Sequence, residues 1–392
     1  MDPIRNPFAP GAGNPPPELA GRSVLLEQAH VALRRVAQRR ATQSLILVGL
    51  RGVGKTVLLV RIKVMAEALD FRTAFVEAHE GKSLAELLLP PIRNLLFSLS
   101  MVDTAKEKAR RALRVLRGFL GAIKLSLGEL DLEIGLDPER GVADSGDLES
   151  DLPNLLHAVA EAAHAGGRSV ALLIDELQYF EQREFSALIM AMHKINQSNL
   201  PFIMFGAGLP QVLALAGESK SYAERLFRYP SIGSLAEEDA VEALRAPIEA
   251  EEAAITDAAL TRLIDVTRAY PYFLQQWGHD CWNVARGSII EVGDVDAASA
   301  ISVRTLDEGF FKVRFDRCTP SERRYMRALA ELGAGAHRSG DVANLLGVKT
   351  TSVGPTRGKL IRKGMIYAPA HGDTEFTVPL FDEYMRRAMP LL

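Results

Sequence analysis

The stretch Ser44-Leu45-Ile46-Leu47-Val48-Gly49-Leu50-Arg51-Gly52-Val53-Gly54-Lys55-Thr56 constrains the fold of this chain more than any other. A continuous apolar run ending in glycine suits a strand buried on both faces of a parallel sheet. The spacing from Thr56 to Leu69 predicts a helix directly after it. Between strand and helix lies a complete match to G-x-x-x-x-G-K-[S/T]. Glycines at 49, 52 and 54 let such a loop turn successive backbone N–H groups toward an anion, and the helix N-terminus adds partial positive charge. In this pattern the lysine, Lys55, reaches the outer phosphates of a nucleotide and Thr56 offers its hydroxyl to Mg²⁺. The candidate phosphate-binding residues are therefore Gly49, Leu50, Arg51, Gly52, Val53, Gly54, Lys55, Thr56 and Val57.

A second apolar run, Val170 to Ile174, ends in Asp175-Glu176. Ligands in open α/β sheets sit beyond the carboxyl ends of the strands, so this pair is placed for metal and water chemistry. Asp175 is the expected second Mg²⁺ ligand, and Glu176 the general base for an attacking water. Strand patterns at 71–76 and 202–205, with helices between, complete a strand–helix alternation that predicts a parallel sheet covered on both faces.

Other features organise the rest of the 392 residues, a length sufficient for two or three domains. Residues 1–18 hold Pro3, Pro7, Pro10, Pro15, Pro16 and Pro17 and read as an irregular arm. Helical patterns fill 83–121. Residues 123–136 alternate in hydropathy like a β-hairpin, and 137–151 read as an acidic loop leading to a helix at 154–165. Residues 235–300 are alanine-rich and helical, with no strand expected. From Thr319 the pattern becomes short helices followed by two short strands, the layout of a winged helix-turn-helix. Thr319-Pro320-Ser321-Glu322 starts the first helix.

The third of those helices, Thr351 to Lys363, carries Arg357, Lys359, Arg362 and Lys363, with Lys349 just ahead and no acidic residue. Residues 301–392 hold 15 basic and 10 acidic side chains, whereas the whole chain carries a net charge of −3. Basic charge is thus concentrated where such a helix would enter the major groove of double-stranded DNA. The same module can instead bind protein. A second basic run, Lys106 to Arg117, places Arg110, Arg111, Arg114 and Arg117 along one side of a helix, as a solvated face, an inter-subunit surface or a second DNA face.

Two cysteines, Cys281 and Cys318, stand in neither a CxxC nor a Cys/His cluster and read as reduced thiols. The longest apolar stretch, Leu84 to Leu99, is broken by Pro90-Pro91 and Arg93, so no membrane span is expected. The N-terminus lacks the apolar core of a secretory signal, and a cytoplasmic location follows.

The order of phosphate loop, Asp-Glu strand end, further strand and helical region resembles AAA+ ATPases. Within them it resembles the archaeal origin-recognition/initiator type and its bacterial relatives, over nearly the whole chain from Pro17-Glu18-Leu19-Ala20-Gly21-Arg22 onward. The resemblance implies an α/β fold with a P-loop sheet helix-covered on both faces. It divides the chain into an arm (1–20), an ATPase core (21–234, with an insertion at about 103–148), a helical lid (235–300) and a winged-helix domain (301–392). It implies ATP and Mg²⁺ as ligands, ATP hydrolysis, and Pro17–Arg22 packed beside adenine or forming a plain loop. It also implies a homo-oligomer in which an arginine, Arg225 in preference to Arg228, completes a neighbour's site. Two departures stand out. The strand Phe202–Phe205 ends in Gly206-Ala207-Gly208, where the family places a polar sensor. The lid carries Tyr270-Pro271-Tyr272-Phe273 where a sensor arginine is expected, although Arg268 is near. That proline is similar to one in STAND-type signalling ATPases, where it packs on adenine, or else the cluster simply packs lid helices. Two functions follow: an ATP-controlled DNA-binding switch, and a STAND-like signalling ATPase whose winged helix is a packing module. A metabolic enzyme using ATP has no substrate-site signature here.

Overall fold

The computed structural model describes residues 1–11, 13–123, 136–221, 223–370 and 372–391. The hairpin expected at 123–136 falls, apart from its two end residues, outside the described residues. The chain divides into two compact units. One comprises residues 24–48 and 55–231; the other comprises 1–23, 49–54 and 232–392.

The first unit is built on a parallel sheet. Five of its six strands, β1 (Ser44–Gly49), β2 (Phe71–Glu77), β3 (Ser169–Asp175), β4 (Phe202–Gly208) and the short β5 (Phe227–Arg228), follow the order β2-β3-β4-β1-β5. Every residue of β1, β3 and β4 is buried, so both sheet faces are covered, as continuous apolar strands require. Register places Val48 beside Gly208 and Ile174 beside Gly206. The glycine-rich end of β4 therefore lies between the carboxyl ends of β1 and β3. Helix α1 (Ser23–Ala37) precedes β1; parallel pairing needs crossovers, and helices α2 (Lys55–Ala68), α3 (Leu84–Ser100), α4 (Lys106–Ala122), α5 (Leu148–Ala165) and α6 (Gln182–Gln197) lie between the strands. Ser83 and Glu86 close a capping box at the start of α3, and the helix continues through Pro90 and Pro91.

Helix α5 begins at Leu148, six residues before the expected start. The buried Asp151 carboxylate turns back to accept from Ser145 N–H (3.2 Å), Ser145 Oγ (2.8 Å) and Gly146 N–H (2.8 Å), which organises the preceding acidic loop. Much of the basic run on α4 is tied up by neighbouring segments. Arg111 pairs with Glu139 (2.8 Å) and Glu161 (3.4 Å), Arg114 with Glu139 (3.8 Å), and Arg117 donates to the Leu136 carbonyl. Of the four arginines named from sequence, only Arg110 is exposed. The charge run is thus a set of internal ties more than a free DNA face.

In the second unit, helices Glu237–Ala250, Asp257–Thr267, Pro271–Val284 and Val292–Thr305 make up the alanine-rich region. Contrary to expectation it also contains a two-residue parallel pair, Ala254–Ile255 with Ile289–Ile290. Helix Val292–Thr305 runs through the 300/301 border expected between domains, continuing as a π segment (Leu306–Phe311) and Lys312–Asp316. The proline-rich arm is irregular but docked. Phe8 is buried against Gly278, Trp282 Nε1 donates to the Asp2 carbonyl (2.7 Å), and Arg5 pairs with Glu251 (3.0 Å). A side chain at Gly278 would lie 2.9 Å from the Phe8 ring, so the glycine is the seat of that aromatic anchor.

The C-terminal stretch forms helices Pro320–Glu331, Ser339–Leu345 and Thr350–Arg362, close to the expected limits. Its strands Ile366–Tyr367 and Asp373–Phe376 pair antiparallel, and a third strand, His337–Arg338, joins the latter on its other side. Neither that strand nor the closing helix Phe381–Ala388 is foreseen from sequence. Both thiols are buried, and burial pushes Cys281 up to about 12, which keeps it in the inert protonated form.

Candidate functional site

The phosphate loop leaves β1 at Gly49, and Lys55 and Thr56 open α2. Gly52 and Gly54 have φ of 85° and 93°, a region that side-chain-bearing residues rarely adopt, so the glycines of the pattern answer a real backbone demand. Lys55 is buried.

Within the sheet unit, Thr56 Oγ1 donates to Asp175 Oδ2 at 2.5 Å across 119 residues of sequence. Asp175 is 2% exposed, and burial raises its pKa; the bonds from Thr56 and from Glu176 N–H (2.8 Å to Oδ1) oppose that rise. A hydroxyl and a costly buried carboxylate side by side fit a hard divalent cation, which prefers oxygen donors and would relieve the burial penalty. Among the described residues no group of three or more His, Cys, Asp or Glu is disposed for a metal ion. Mg²⁺ bound here would therefore complete its shell with water and phosphate oxygens.

Glu176 follows immediately, half-buried, with φ 56° and ψ 39°. A left-handed glutamate is uncommon and is tolerated where surrounding structure enforces it. Its carboxylate accepts from Gln178 Nε2. Sequence patterns did not single out Gln178, because its role depends on partners from another strand.

In the second unit, the Tyr270-Pro271-Tyr272 segment grips the outer lip of the loop. The Tyr270 hydroxyl donates to the Arg51 carbonyl and Tyr272 N–H to the Gly52 carbonyl (3.2 Å). Pro271 occupies the first turn of its helix, where its missing N–H leaves no partner unsatisfied. Tyr272 stacks on Phe310 (4.7 Å between centroids), and Arg314 covers the other ring at 3.8 Å. Arg51 N–H also donates to the Thr377 carbonyl (3.3 Å). Arg268, left-handed at a helix end, pairs with Glu383 at 3.0 Å.

The two finger candidates part company. Arg228 Nε donates to Gln43 Oε1 (2.9 Å), whereas Arg225 is exposed and its carbonyl accepts from Gln43 Nε2 (3.0 Å).

Of the residues expected to meet DNA, Lys349, Lys359 and Arg362 are exposed. Arg357 and Lys363 are half-buried and bonded within the C-terminal stretch. Arg357 holds Thr374 Oγ1 (2.8 Å) and the Asp373 carbonyl (2.6 Å), tying its helix to the strand. Lys363 Nζ lies 2.7 Å from Glu322 Oε2 and 3.0 Å from the Arg317 carbonyl. Burial pushes the Glu322 carboxyl up, but the bonds from Lys363 and Thr319 outweigh it and hold it below the usual range.

Residues 18–205 match the AAA ATPase domain family. Residues 308–385 match a family described as a domain of unknown function (DUF8462). No curated protein matches the sequence. Among solved structures, the chain is similar to the Orc1 protein of Aeropyrum pernix in complex with DNA, at 12% identity over 98% of this chain and 96% of that one, with a TM-score of 0.48. It is also similar to Cdc6p from Pyrobaculum aerophilum (12%, 99% of each chain, TM-score 0.47). A third is the Thermotoga maritima RuvB Holliday junction branch migration motor (14%, 94% and 95%, TM-score 0.43). No described helix is long and apolar enough to cross a membrane.

The buried ion pair gives a direct prediction. Lys363→Met should lose about 1–3 kcal/mol of unfolding free energy near neutral pH, because a buried carboxylate is left without its cation. A carboxyl held low in the folded state stabilises above its unfolded value and loses that contribution as pH falls. The difference from the parent should therefore shrink on acidification in denaturant titrations. Lys359→Met should stay within about 0.5 kcal/mol, as exposed substitutions do.

Proposed function

We propose that the chain is an ATP-operated switch that binds and hydrolyses ATP and engages double-stranded DNA through a winged-helix module at its C-terminus. The observation that carries the ATPase half is the Thr56–Asp175 contact with Glu176 adjacent to it. Gly49 to Val57 would bind the phosphates, Lys55 countering their charge, with Pro271 beside the base. Thr56 and Asp175 would hold Mg²⁺, which neutralises phosphate charge when bound. Glu176 accepts a proton from water as the water oxygen bonds to the terminal phosphorus. The bridging P–O bond breaks toward ADP, which leaves with its electron pair. Glu176→Gln should keep ATP affinity and slow phosphate release at least ~100-fold. Unchanged turnover would remove Glu176 from this role.

Arg225, which is exposed, is proposed to complete the site of a neighbouring copy. Arg225→Ala protein should bind ATP yet not turn it over, and mixing it with Lys55→Ala protein should restore part of the activity. Strictly concentration-independent parental turnover without rescue would mean that the switch works as a monomer.

The DNA half rests on the exposed trio Lys349, Lys359 and Arg362 on and beside one helix, without an acidic neighbour on that helix. Each phosphate contact contributes about −0.9 to the slope of log affinity against log salt. Replacing all three with alanine should weaken DNA binding broadly and flatten the slope by about two to three units, with ATP binding intact. The second reading, a STAND-like signalling ATPase, is favoured by one observation: Tyr270 and Tyr272, flanking Pro271, bond the backbone of Arg51 and Gly52. Negligible DNA affinity at moderate salt, with and without ATP, would select it.

A further inference from the structure

The end of β4 carries no polar side chain that could read the site, yet it is not bare. A Cβ built on Gly206 would lie 2.5 Å from Leu177 Cδ1, and one on Gly208 would lie 3.0 Å from Gln178 Oε1 and 3.5 Å from Leu177 Cβ. The turn that follows β3, Leu177–Tyr179, is therefore laid directly on the glycines of β4. Leu177 is completely buried there and anchors the turn. Gln178 then spans two strands with one carboxamide. Its Oε1 accepts from Leu209 N–H at 2.9 Å, just past β4, and its Nε2 donates to the Glu176 carboxylate. An amide has two ends of opposite polarity, so fixing the oxygen on a backbone N–H decides that the nitrogen faces Glu176.

We infer that Gln178 is the positioning residue for Glu176 and supplies, from the turn after β3, the polar link to the site that β4 itself lacks. Three features converge on it. The glycines at 206 and 208 make room for the turn. The left-handed backbone of Glu176 brings its side chain back within reach of a residue two positions later. The backbone anchor at Leu209 gives the amide one orientation. A carboxylate held by an oriented donor stays in one rotamer, ready for a water on its other oxygen, and such orientation is worth much of a general base's effect. The chemistry also explains why glutamine stands here. Glutamate would set two carboxylates against each other, and asparagine is one methylene too short to span both partners.

The inference rests on Glu176 acting as the base, and the experiment separates the two ideas. Turnover is measured for the parent, Gln178→Ala, Gln178→Glu, Glu176→Gln and the double variant Gln178→Ala/Glu176→Gln, with ATP affinity by calorimetry and thermal midpoints for each. Gln178→Ala should lower kcat by between about tenfold and 100-fold while leaving ATP affinity and the midpoint near the parent. Gln178→Glu retains an acceptor for Leu209 N–H but loses the donor, so it should be at least as slow. In the Glu176→Gln background, Gln178→Ala should change the residual rate by no more than about twofold, because a residue that acts only through Glu176 has nothing left to position. Gln178→Glu running at the parental rate, or equal losses from Gln178→Ala in both backgrounds, would overturn the inference and leave a merely structural turn. Parental turnover that does not depend on Glu176 would overturn the reading of the site and this inference together.

Discussion

A single hydrogen bond, from Thr56 to Asp175, brings together the two halves of the candidate site in the sheet unit. Thr56 stands at the start of the helix after β1, and Asp175 at the end of β3; neither strand pairs with the other. They meet because β4 pairs with both, and its terminal glycines leave room for the Leu177–Tyr179 turn that follows β3. Burying Asp175 is unfavourable by itself, as its raised pKa shows, so the fold holds this group in a state that a divalent cation would improve. Much of the sheet's topology serves that juxtaposition.

The same economy governs charge. The arginines of α4 and the Lys363–Glu322 pair hold a loop and a helix start in place, while Lys349, Lys359 and Arg362 remain exposed. Paired and unpaired cations look identical in composition, but they differ in what they can offer a polyanion. Three exposed cations on one module are a smaller and better defined surface than the five residues of the bare pattern suggest. The segment Tyr270–Tyr272 shows a related principle. Tyr270 and Tyr272 donate to carbonyls of the phosphate loop, so the outer lip of the loop is hydrogen-bonded within its own unit.

Much of this was legible in the residue order because it is local. Continuous apolar runs mark strands buried on both faces, glycine spacing marks a loop with positive φ, and Thr319-Pro320-Ser321-Glu322 marks a helix start through a capping box that the structure contains. These signals act over a few residues, where chain connectivity alone brings groups together. Where a local rule met tertiary context it could fail. The acidic, glycine-containing stretch 137–151 suggested a loop and a later start for α5, but the helix begins at Leu148, with the Asp151 carboxylate holding three donors of the preceding loop.

By itself the sequence determined the phosphate loop, the strand–helix alternation and the Asp175-Glu176 pair, since each is written in neighbouring residues. Only the tertiary structure decided which cations were already neutralised, because Glu139 lies 28 residues from Arg111 and Glu322 lies 41 from Lys363. It alone decided that Gln178 should face Glu176, through a backbone N–H 31 residues further on. Such partners are set by strand order and packing, and no periodicity records them. An amide or a guanidinium acquires its role from what the fold places within about 3 Å of it.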